Sequence, residues 1–415
     1  MVKVEIITIG DELLIGQVVD TNSPWMAQQL NKAGFDVQYK TTVGDSESDI
    51  PDAFERAFSR ASAVLVTGGI GPTKDDITKN ALCRFFNTRL IFDAPTMETI
   101  ETVLRGLCRN LNELTRSQAY VPEKATVIQN KMGTAPLTWF EREGKILVSM
   151  PGVPYEMKWA MSNEIIPRLQ SFFPAPAFIL HQAFRVKNYS ESSLAMRLED
   201  FENELPAHLR LAYLPSSGLI RLRLTGKGAD RENLSSEMSV RRDKLRNLLK
   251  KDIVSETDDE LENILDKRLK EHGLTLSLAE SCTGGKLASL FTAIPGCSHY
   301  FKGGITAYSN EAKQNILGVT GNSLREAGAV SRTVVEQMVR GAQRIFNTDC
   351  AIATSGIAGP DGGTPEKPVG TVWIAVACKE QLHAKEFHFS QNRESNILRA
   401  CNMGMQLLLE IIAEI

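Results

Sequence analysis

Ser281 lies in the run Ala279-Glu280-Ser281-Cys282-Thr283-Gly284-Gly285, after an apolar strand-like stretch (TLSLAE) and before a segment that reads as a helix. A serine between a strand and a helix projects from a sharp turn, and the amides that follow it can stabilise negative charge. A serine hydroxyl is a weak nucleophile at its free pKa and needs a base to take its proton. None of the six histidines sits in a motif that supplies one; His299 and His383 read as surface or core residues. Lysine can serve where its pKa is depressed. Lys313, in Tyr308-Ser309-Asn310-Glu311-Ala312-Lys313, follows a strand end and opens a helix, whose positive end favours the neutral amine. The residues alone do not single it out from the other lysines. Cys282 is intrinsically the better nucleophile, but adjacent residues point in different directions, so only one of Ser281 and Cys282 faces a substrate. No GxSxG elbow is present. A third loop, Ser355–Thr371, is dense in glycine and proline and long enough to wrap a ligand.

A second set of chemically capable residues lies near the start of the chain. Gly10-Asp11-Glu12 follows one strand-like run, the stretch TGGIGPTKDDIT from Thr67 to Thr78 follows another, and Pro151-Gly152-Val153-Pro154 precedes Glu156. Glycines let main-chain amides approach phosphate oxygens, and a helix starting near Asp76 adds its positive end. The carboxylates of Asp11, Glu12, Asp45, Asp75 and Asp76 would repel a phosphate unless a hard divalent cation such as Mg²⁺ lay between them. For any one loop, turn-making glycines and helix-capping acids are an equal explanation; three such loops on one sheet edge favour a phosphate-and-metal site.

These loops need elements to position them. Val2–Ile9 reads as a buried strand, Ser23-Pro24 as a helix start, and a strand (35–43), a helix (49–60) and the strand Ala63–Thr67 follow, then a strand at Ile146–Met150 and a helix from Pro154. That alternation predicts a parallel sheet with helices on both faces over residues 1–172. FPAPAFIL (173–180) reads as a linker. Residues 173–252 then carry strand-like runs (FILHQAFRV, LRLAYLP, GLIRLRLTG) and a helix from about Asn233, a small α+β module with Arg221 and Arg223 on one half-exposed face. Residues 253–415 return to α/β order, with helices starting at Asn310 and Ser331, strands AIATSG and TVWIAVAC, and a terminal helix from Glu394.

The bulk properties bound what these sites act on. The chain has 415 residues and a net charge of −3, a balance that sets up no field for nucleic acid or an anionic membrane. Seven cysteines are scattered, with no CxxC pair, as expected of reduced thiols in a cytoplasmic protein, and neither they nor the histidines form a zinc cluster. The start, MVKVEIITIG, lacks the features of a signal peptide, and no apolar run is long enough for a membrane span.

GDELLIGQVVDTN, TGGIGPTKDDIT, GTAP and MPGVPYEM resemble the molybdopterin-binding fold, and specifically the N-terminal domain of the CinA family. The resemblance implies a metal-dependent ADP-ribose pyrophosphatase. It implies that Gly68, Gly69, Gly71, Thr73 and Thr78 cradle the ligand, with Asp11, Asp45, Asp75 and Asp76 as candidates to position metal or water. GTAP is followed by Leu137, where the family usually has glycine. The middle module resembles the KH-like domain of the same proteins but lacks a GxxG loop over 178–252, so RNA binding is not expected despite the basic run RRDKLRNLLKKD. AESCTGG, PGCSHYFKGGITAYSNEAK and SGIAGPDGGTPEKPVGT resemble the CinA C-terminal domain, which also exists alone as nicotinamide-nucleotide amidase. That resemblance implies deamidation of nicotinamide mononucleotide without a cofactor, with Ser281 as nucleophile, Lys313 as base and Tyr308 relaying or orienting the proton. Thr283, Gly284, Gly285, Gly356 and Gly359 would hold the substrate or its oxyanion, and Arg393 its phosphate. The family further implies a homodimer. The expected class is therefore a three-domain α/β protein that hydrolyses two NAD breakdown products; the competing class is a non-catalytic nucleotide-binding or recruitment protein linked to competence or DNA damage.

Overall fold

The computed structural model describes residues 2–173, 178–216, 218–390 and 392–414. The chain forms two compact units, Met1–His181 with Thr225–Ser239, and Gln182–Leu224 with Val240–Ile415, so residues of the expected middle module fall in both.

The first unit is built on a six-stranded sheet. Its strands are β1 (Lys3–Ile9), β2 (Asp36–Val43), β3 (Ala63–Thr67), β4 (Thr126–Ile128), β5 (Leu137–Arg142) and β6 (Lys145–Met150), in the order β2-β1-β3-β6-β5-β4. The β1, β2, β3 and β6 pairings are parallel, as the strand–helix alternation predicts. The sheet is not wholly parallel, however: β5 and β4 join antiparallel. β5 and β6 are joined by the two-residue turn Glu143-Gly144, which needs no crossover helix, so β5 adds to the edge antiparallel to β6. The period of two sorts the apolar residues between the faces. Val4, Ile6, Ala63 and Leu65 pack with Met26, Leu30 and Met157 on one side, while Ile7, Ile9, Val64 and Val66 pack with Ile50, Phe54 and Phe58 on the other. Leu137, which stands in place of the family's glycine, is fully buried at the start of β5 and belongs to the first of these cores.

Phe178–Val186 is a strand (β7), so the expected linker ends by Phe173–Ala177, of which 174–177 lie outside the described residues. With β8 (Leu209–Ser216), β9 (Leu219–Gly228) and β10 (Ile253–Ser255) it forms a sheet ordered β8-β9-β7-β10. Along β9, Leu222 and Leu224 are buried while Arg221 and Arg223 are half-exposed, the alternation read from LIRLRL.

The second unit carries a five-stranded sheet of β11 (Leu276–Glu280), β12 (Phe301–Thr306), β13 (Cys350–Gly356), β14 (Thr371–Cys378) and β15 (Gln381–His388), ordered β12-β11-β13-β14-β15. β11 pairs parallel with β12 and β13, and the β13, β14, β15 run is antiparallel. One face presents Leu276, Leu278, Ile352, Ile374 and Val376 to the helices Leu261–Glu271 and Arg393–Ile412. The other presents Ala279, Ala351, Ala353, Ala375 and Ala377 to Val334, Met338 and Val339 of the helix Arg332–Phe346. Alanine on that face lets the helix lie close to the sheet. The consequence for chemistry is topological: β11 and β13 are adjacent and parallel, so the loops leaving their carboxyl ends, at Ser281 and Gly356, open side by side. Among the described residues no helix is long and apolar enough to cross a membrane.

Candidate active sites

Ser281 leaves β11, its N–H donating to Thr354 O on β13 at 3.0 Å, and Gly285, at φ 94°, starts the helix Lys286–Thr292. The carboxylate of Glu280 turns onto the first turn of that helix and accepts N–H bonds from Gly285, Leu287 and Ala288 at 3.0, 3.0 and 2.9 Å. This buried carboxylate satisfies amides that would otherwise be orphaned at the helix start. The anion site expected at Gly285 is thus filled from within the chain. Thr283 is buried and its hydroxyl pairs with that of Thr354 at 2.8 Å.

Lys313, on the helix Asn310–Asn315, is 1% exposed and reaches Ser281 Oγ at 3.0 Å. Its Nζ also donates to the main-chain oxygens of Ala307 and Tyr308 at 2.9 and 3.1 Å. A neutral amine has two N–H bonds and one lone pair; with the two carbonyls taking the N–H bonds, the lone pair is left for the Ser281 hydroxyl. Burial pushes the Lys313 pKa down, against the opposing influence of the nearby Cys282. Desolvation, rather than the end of a short helix, is the cause. The Cys282 thiol is pushed up to about 12 by its complete burial. A thiol held protonated is a poor nucleophile at neutral pH, which favours Ser281 over its neighbour.

Ser281 and Lys313 open onto a cavity of about 210 Å³ whose wall also includes Cys282, Tyr308, Asn310, Ala329, Val330, Ser355, Gly356, Ala358 and Arg393. Of the residues singled out from the sequence, Ser281, Lys313, Tyr308, Gly356 and Arg393 meet here, whereas Thr283, Gly284, Gly285 and Gly359 lie outside the lining. Tyr308 acts on Lys313 through its carbonyl; its ring is 63% exposed, and its hydroxyl accepts from Arg393 at 3.4 Å. Arg393 also donates to Gly359 O at 2.8 Å, which ties the glycine-rich loop to the start of the last helix and leaves a cation at the cavity rim. Asn310 and Ser355 were legible only as members of the YSNEAK and SGIAGP runs, and Ala329-Val330 carries no residue-type signal.

In the first unit the three expected loops do converge. They line a cleft of about 420 Å³ that includes Glu12, Asn22, Gly68–Gly71, Asp76, Gln118, Gly152 and Glu156. Gly68, at φ 112°, passes so close to Ile9 O that a side chain there would clash, which explains the glycine. Much of the loop's hydrogen-bonding capacity is spent internally. Asp76 accepts from the N–H groups of Gly71 and Thr73, both at 2.8 Å, and from the Thr73 hydroxyl at 2.5 Å. Gly68 N–H donates to Met150 O, and Thr78 Oγ1 to Gly68 O at 3.1 Å. Asp11 and Asp45 each accept the other's main-chain N–H, at 3.1 and 3.0 Å. Burial first, and then the charges of Asp11, Glu12 and Asp75, raise the Asp45 pKa. Asp11, Asp45 and Asp75 are therefore neighbours, but among the described residues no group of three or more His, Cys, Asp or Glu side chains converges so as to hold a metal ion.

Three family descriptions match the chain: a probable molybdopterin binding domain over residues 5–171, a damage-inducible protein CinA KH domain over 181–255, and a CinA C-terminal domain over 258–412. A CinA-like protein of Flavobacterium psychrophilum is 41% identical over 412 residues, covering 99% of this chain and 98% of its own. A putative competence-damage inducible protein of Caldicellulosiruptor saccharolyticus is 38% identical over 390 residues, 94% of each. Among solved structures, a competence-damaged protein (CinA) superfamily protein from Escherichia coli is 36% identical over 38% of this chain and 94% of its own, with a TM-score of 0.36. The likeness to the Flavobacterium and Caldicellulosiruptor proteins runs through both sites and nearly end to end, and the chain belongs to the CinA family.

Proposed function

We propose that the C-terminal cavity is the active site of a serine–lysine amidohydrolase that converts nicotinamide mononucleotide to nicotinate mononucleotide and ammonia. The observation that carries this reading is the buried Lys313 amine, 3.0 Å from Ser281 Oγ and held there by two carbonyls. Neutral Lys313 takes the Oγ proton as Oγ attacks the carboxamide carbon. The tetrahedral intermediate collapses with cleavage of the C–N bond, and the nitrogen leaves as ammonia with the proton that Lys313 returns. Water then attacks the acyl ester, giving its proton to Lys313, and the departing Ser281 oxygen recovers it. Cys282 and Asn310 are residues of the cavity wall, and on this reading their N–H groups serve the developing oxyanion. Arg393 at the rim meets the phosphate of the mononucleotide. Ammonia release from nicotinamide mononucleotide by the full-length protein tests the reading. If wild type releases none, the non-catalytic nucleotide-binding alternative stands in its place.

For the N-terminal cleft we infer hydrolysis of ADP-ribose to AMP and ribose 5-phosphate, supported by a concave site of nucleotide size lined by the glycine loop. Among the described residues the carboxylates do not form a cation-binding set, and Asp76 is committed to its own loop, so the side chains present do not fit a resident divalent cation. ADP-ribose cleavage assayed with and without a chelator tests both points: unchanged activity with chelator removes metal from the reaction, and no activity under either condition removes the reaction.

A further inference from the structure

The N-terminal cleft contains a buried carboxyl that the reading above does not use. Glu156, 8% exposed, is the third residue of the helix Pro154–Ala160 and lines the cleft. A glutamate there could simply favour the helix dipole. Its carboxylate is instead held by other groups: Asn130 Nδ2 donates to Oε2 at 2.6 Å, and the Tyr155 hydroxyl provides a second hydrogen bond. Asn130 is itself held, donating to Ala135 O at 3.0 Å and accepting the Met132 N–H at 3.0 Å. Gly133 leaves no space on the far side, because a Cβ there would overlap the carboxylate. No lysine, arginine or histidine forms an ion pair with Glu156 among the described residues. Burial raises its pKa. A carboxylate offers about four acceptor positions, so two donors leave it under-satisfied in a place where desolvation is costly.

Two more acceptors belong to residues of the same cleft wall. Asn22 Oδ1 and Gln118 Oε1 are buried with no hydrogen-bond partner, on side chains that are 9% and 2% exposed. Asn22 gives its Nδ2 to Gly152 O at 2.6 Å, which commits the amide's donor end and fixes its orientation. Glu156 is thus a buried, under-satisfied acceptor in the cleft wall, and Asn22 and Gln118 of the same wall carry acceptors without partners. A phosphate, itself an acceptor, does not belong there; a group bringing several O–H or N–H donors does.

We propose that Glu156 binds the vicinal hydroxyls of the nucleotide's ribose. A carboxylate accepting from a ribose diol is a recurrent way to recognise that group. The assignment rests on the nucleotide reading of this cleft and adds a direction to it, with the sugar toward Glu156 and away from the Asp76 loop. Glu156 acts as a binding residue, so its loss weakens affinity for the ribose and not for its deoxy analogues.

Calorimetric titration of the full-length protein with AMP, 2′-deoxy-AMP, 3′-deoxy-AMP and inosine monophosphate tests this. Wild type is expected to bind AMP about tenfold or more tightly than either deoxy nucleotide, the size of one hydrogen bond to a charged group. Inosine monophosphate, which keeps the diol and lacks the exocyclic amine, is expected to bind like AMP. In E156Q the gap between AMP and its deoxy forms should shrink to about twofold. Discrimination retained in E156Q, or wild-type discrimination by the base amine and not the hydroxyls, overturns the proposal. The wild-type series needs no variant and so decides even if E156Q fails to fold. Nucleotide binding without preference for ribose sinks this assignment alone, whereas no binding of AMP or ADP-ribose by wild type sinks the nucleotide reading of the cleft with it.

Discussion

Two lysines, one in each unit, are held in nearly the same way. Lys313 donates to the carbonyls of Ala307 and Tyr308 at 2.9 and 3.1 Å, and Lys79 to those of Gln118 and Tyr120 at 3.2 and 3.4 Å. Burial is the leading cause of a lowered pKa in both; for Lys79 it brings the value down to about 8 against the pull of Asp76 and Cys83. They differ in what occupies the third direction of the amine. For Lys313 it is a serine hydroxyl on a cavity wall; Lys79 has no hydroxyl hydrogen-bonded to it among the described residues and does not line the cleft of its own unit. A depressed lysine pKa is therefore not by itself the mark of a base.

The sharpest way to break this comparison is to remove each amine in turn. Ser281→Ala and Lys313→Met should each lower ammonia release by a factor of about 10³ or more, because the pair acts as a unit. Lys79→Met should leave it unchanged within about twofold. The wild-type rate should also climb with pH as Lys313 loses its proton, and level off below the ordinary lysine value of 10.5. A Lys313→Met enzyme with wild-type turnover, or a Lys79→Met enzyme without it, would show that the geometry has been misread. Cys282→Ala should keep at least about half of the activity, since a thiol pushed up to about 12 takes no part in the attack; an inactive Cys282→Ala protein that still melts like wild type would reverse the assignment of nucleophile.

A smaller effect is expected at the rim. Arg393 is tied to Gly359 O and the Tyr308 hydroxyl and is the cation placed to meet a substrate phosphate. Arg393→Ala should raise KM for nicotinamide mononucleotide about ten- to a hundredfold with little change in kcat, the pattern of lost uniform binding. A fall in kcat at constant KM would instead place Arg393 at the reacting carbon. At the floor, Glu280→Gln keeps the shape but removes the charge that accepts three helix amides. It should cost about 1–3 kcal/mol of stability, read as a lowered denaturant midpoint.

How much of this was readable in the sequence depends on where each signal resides. β1, β3 and β11 are buried runs dominated by apolar residues, and Ser331 caps the helix Arg332–Phe346 by accepting the Val334 N–H, so a side-chain type marks both strands and start. β15 was missed because it lies at the sheet edge, with polar residues at its exposed positions and only Leu382, Ala384 and Phe387 half-buried. The antiparallel additions β5 and β4 depend on pairing, which periodicity does not encode. In the C-terminal site, Ser281 was visible as a serine on a turn. The features that activate its partner are the main-chain carbonyls of Ala307 and Tyr308, and a carbonyl leaves no trace in residue type. For the same reason the Asp76 loop looked open to a ligand: nothing in TGGIGPTKDD reveals that its own aspartate takes the Gly71 and Thr73 amides.

The two lysines can finally be compared through stability, where no substrate is needed. Lys79 has a folded-state value of about 8 against 10.5 when unperturbed. Between those two pH values the unfolded chain binds more protons than the folded one, so this group makes stability rise with pH across the window. Below pH 8 the amine is protonated in both states and its burial weighs against the fold; above 10.5 it is neutral in both and the penalty is gone. Lys79→Met removes the titration while leaving the Gln118 and Tyr120 carbonyls without their donor, a constant cost of about 1–3 kcal/mol. Melting temperatures measured from pH 7.5 to 10.5 should therefore follow a flatter course in the variant and fall furthest below wild type at the alkaline end, where wild type has shed its burial penalty and keeps both hydrogen bonds. Parallel curves would mean that Lys79 keeps its charge in the folded protein, and that two carbonyls are enough to hold a buried ammonium. In that case the lone pair assigned to Lys313 would have to come from its contact with Ser281 and the cavity beyond it, not from burial.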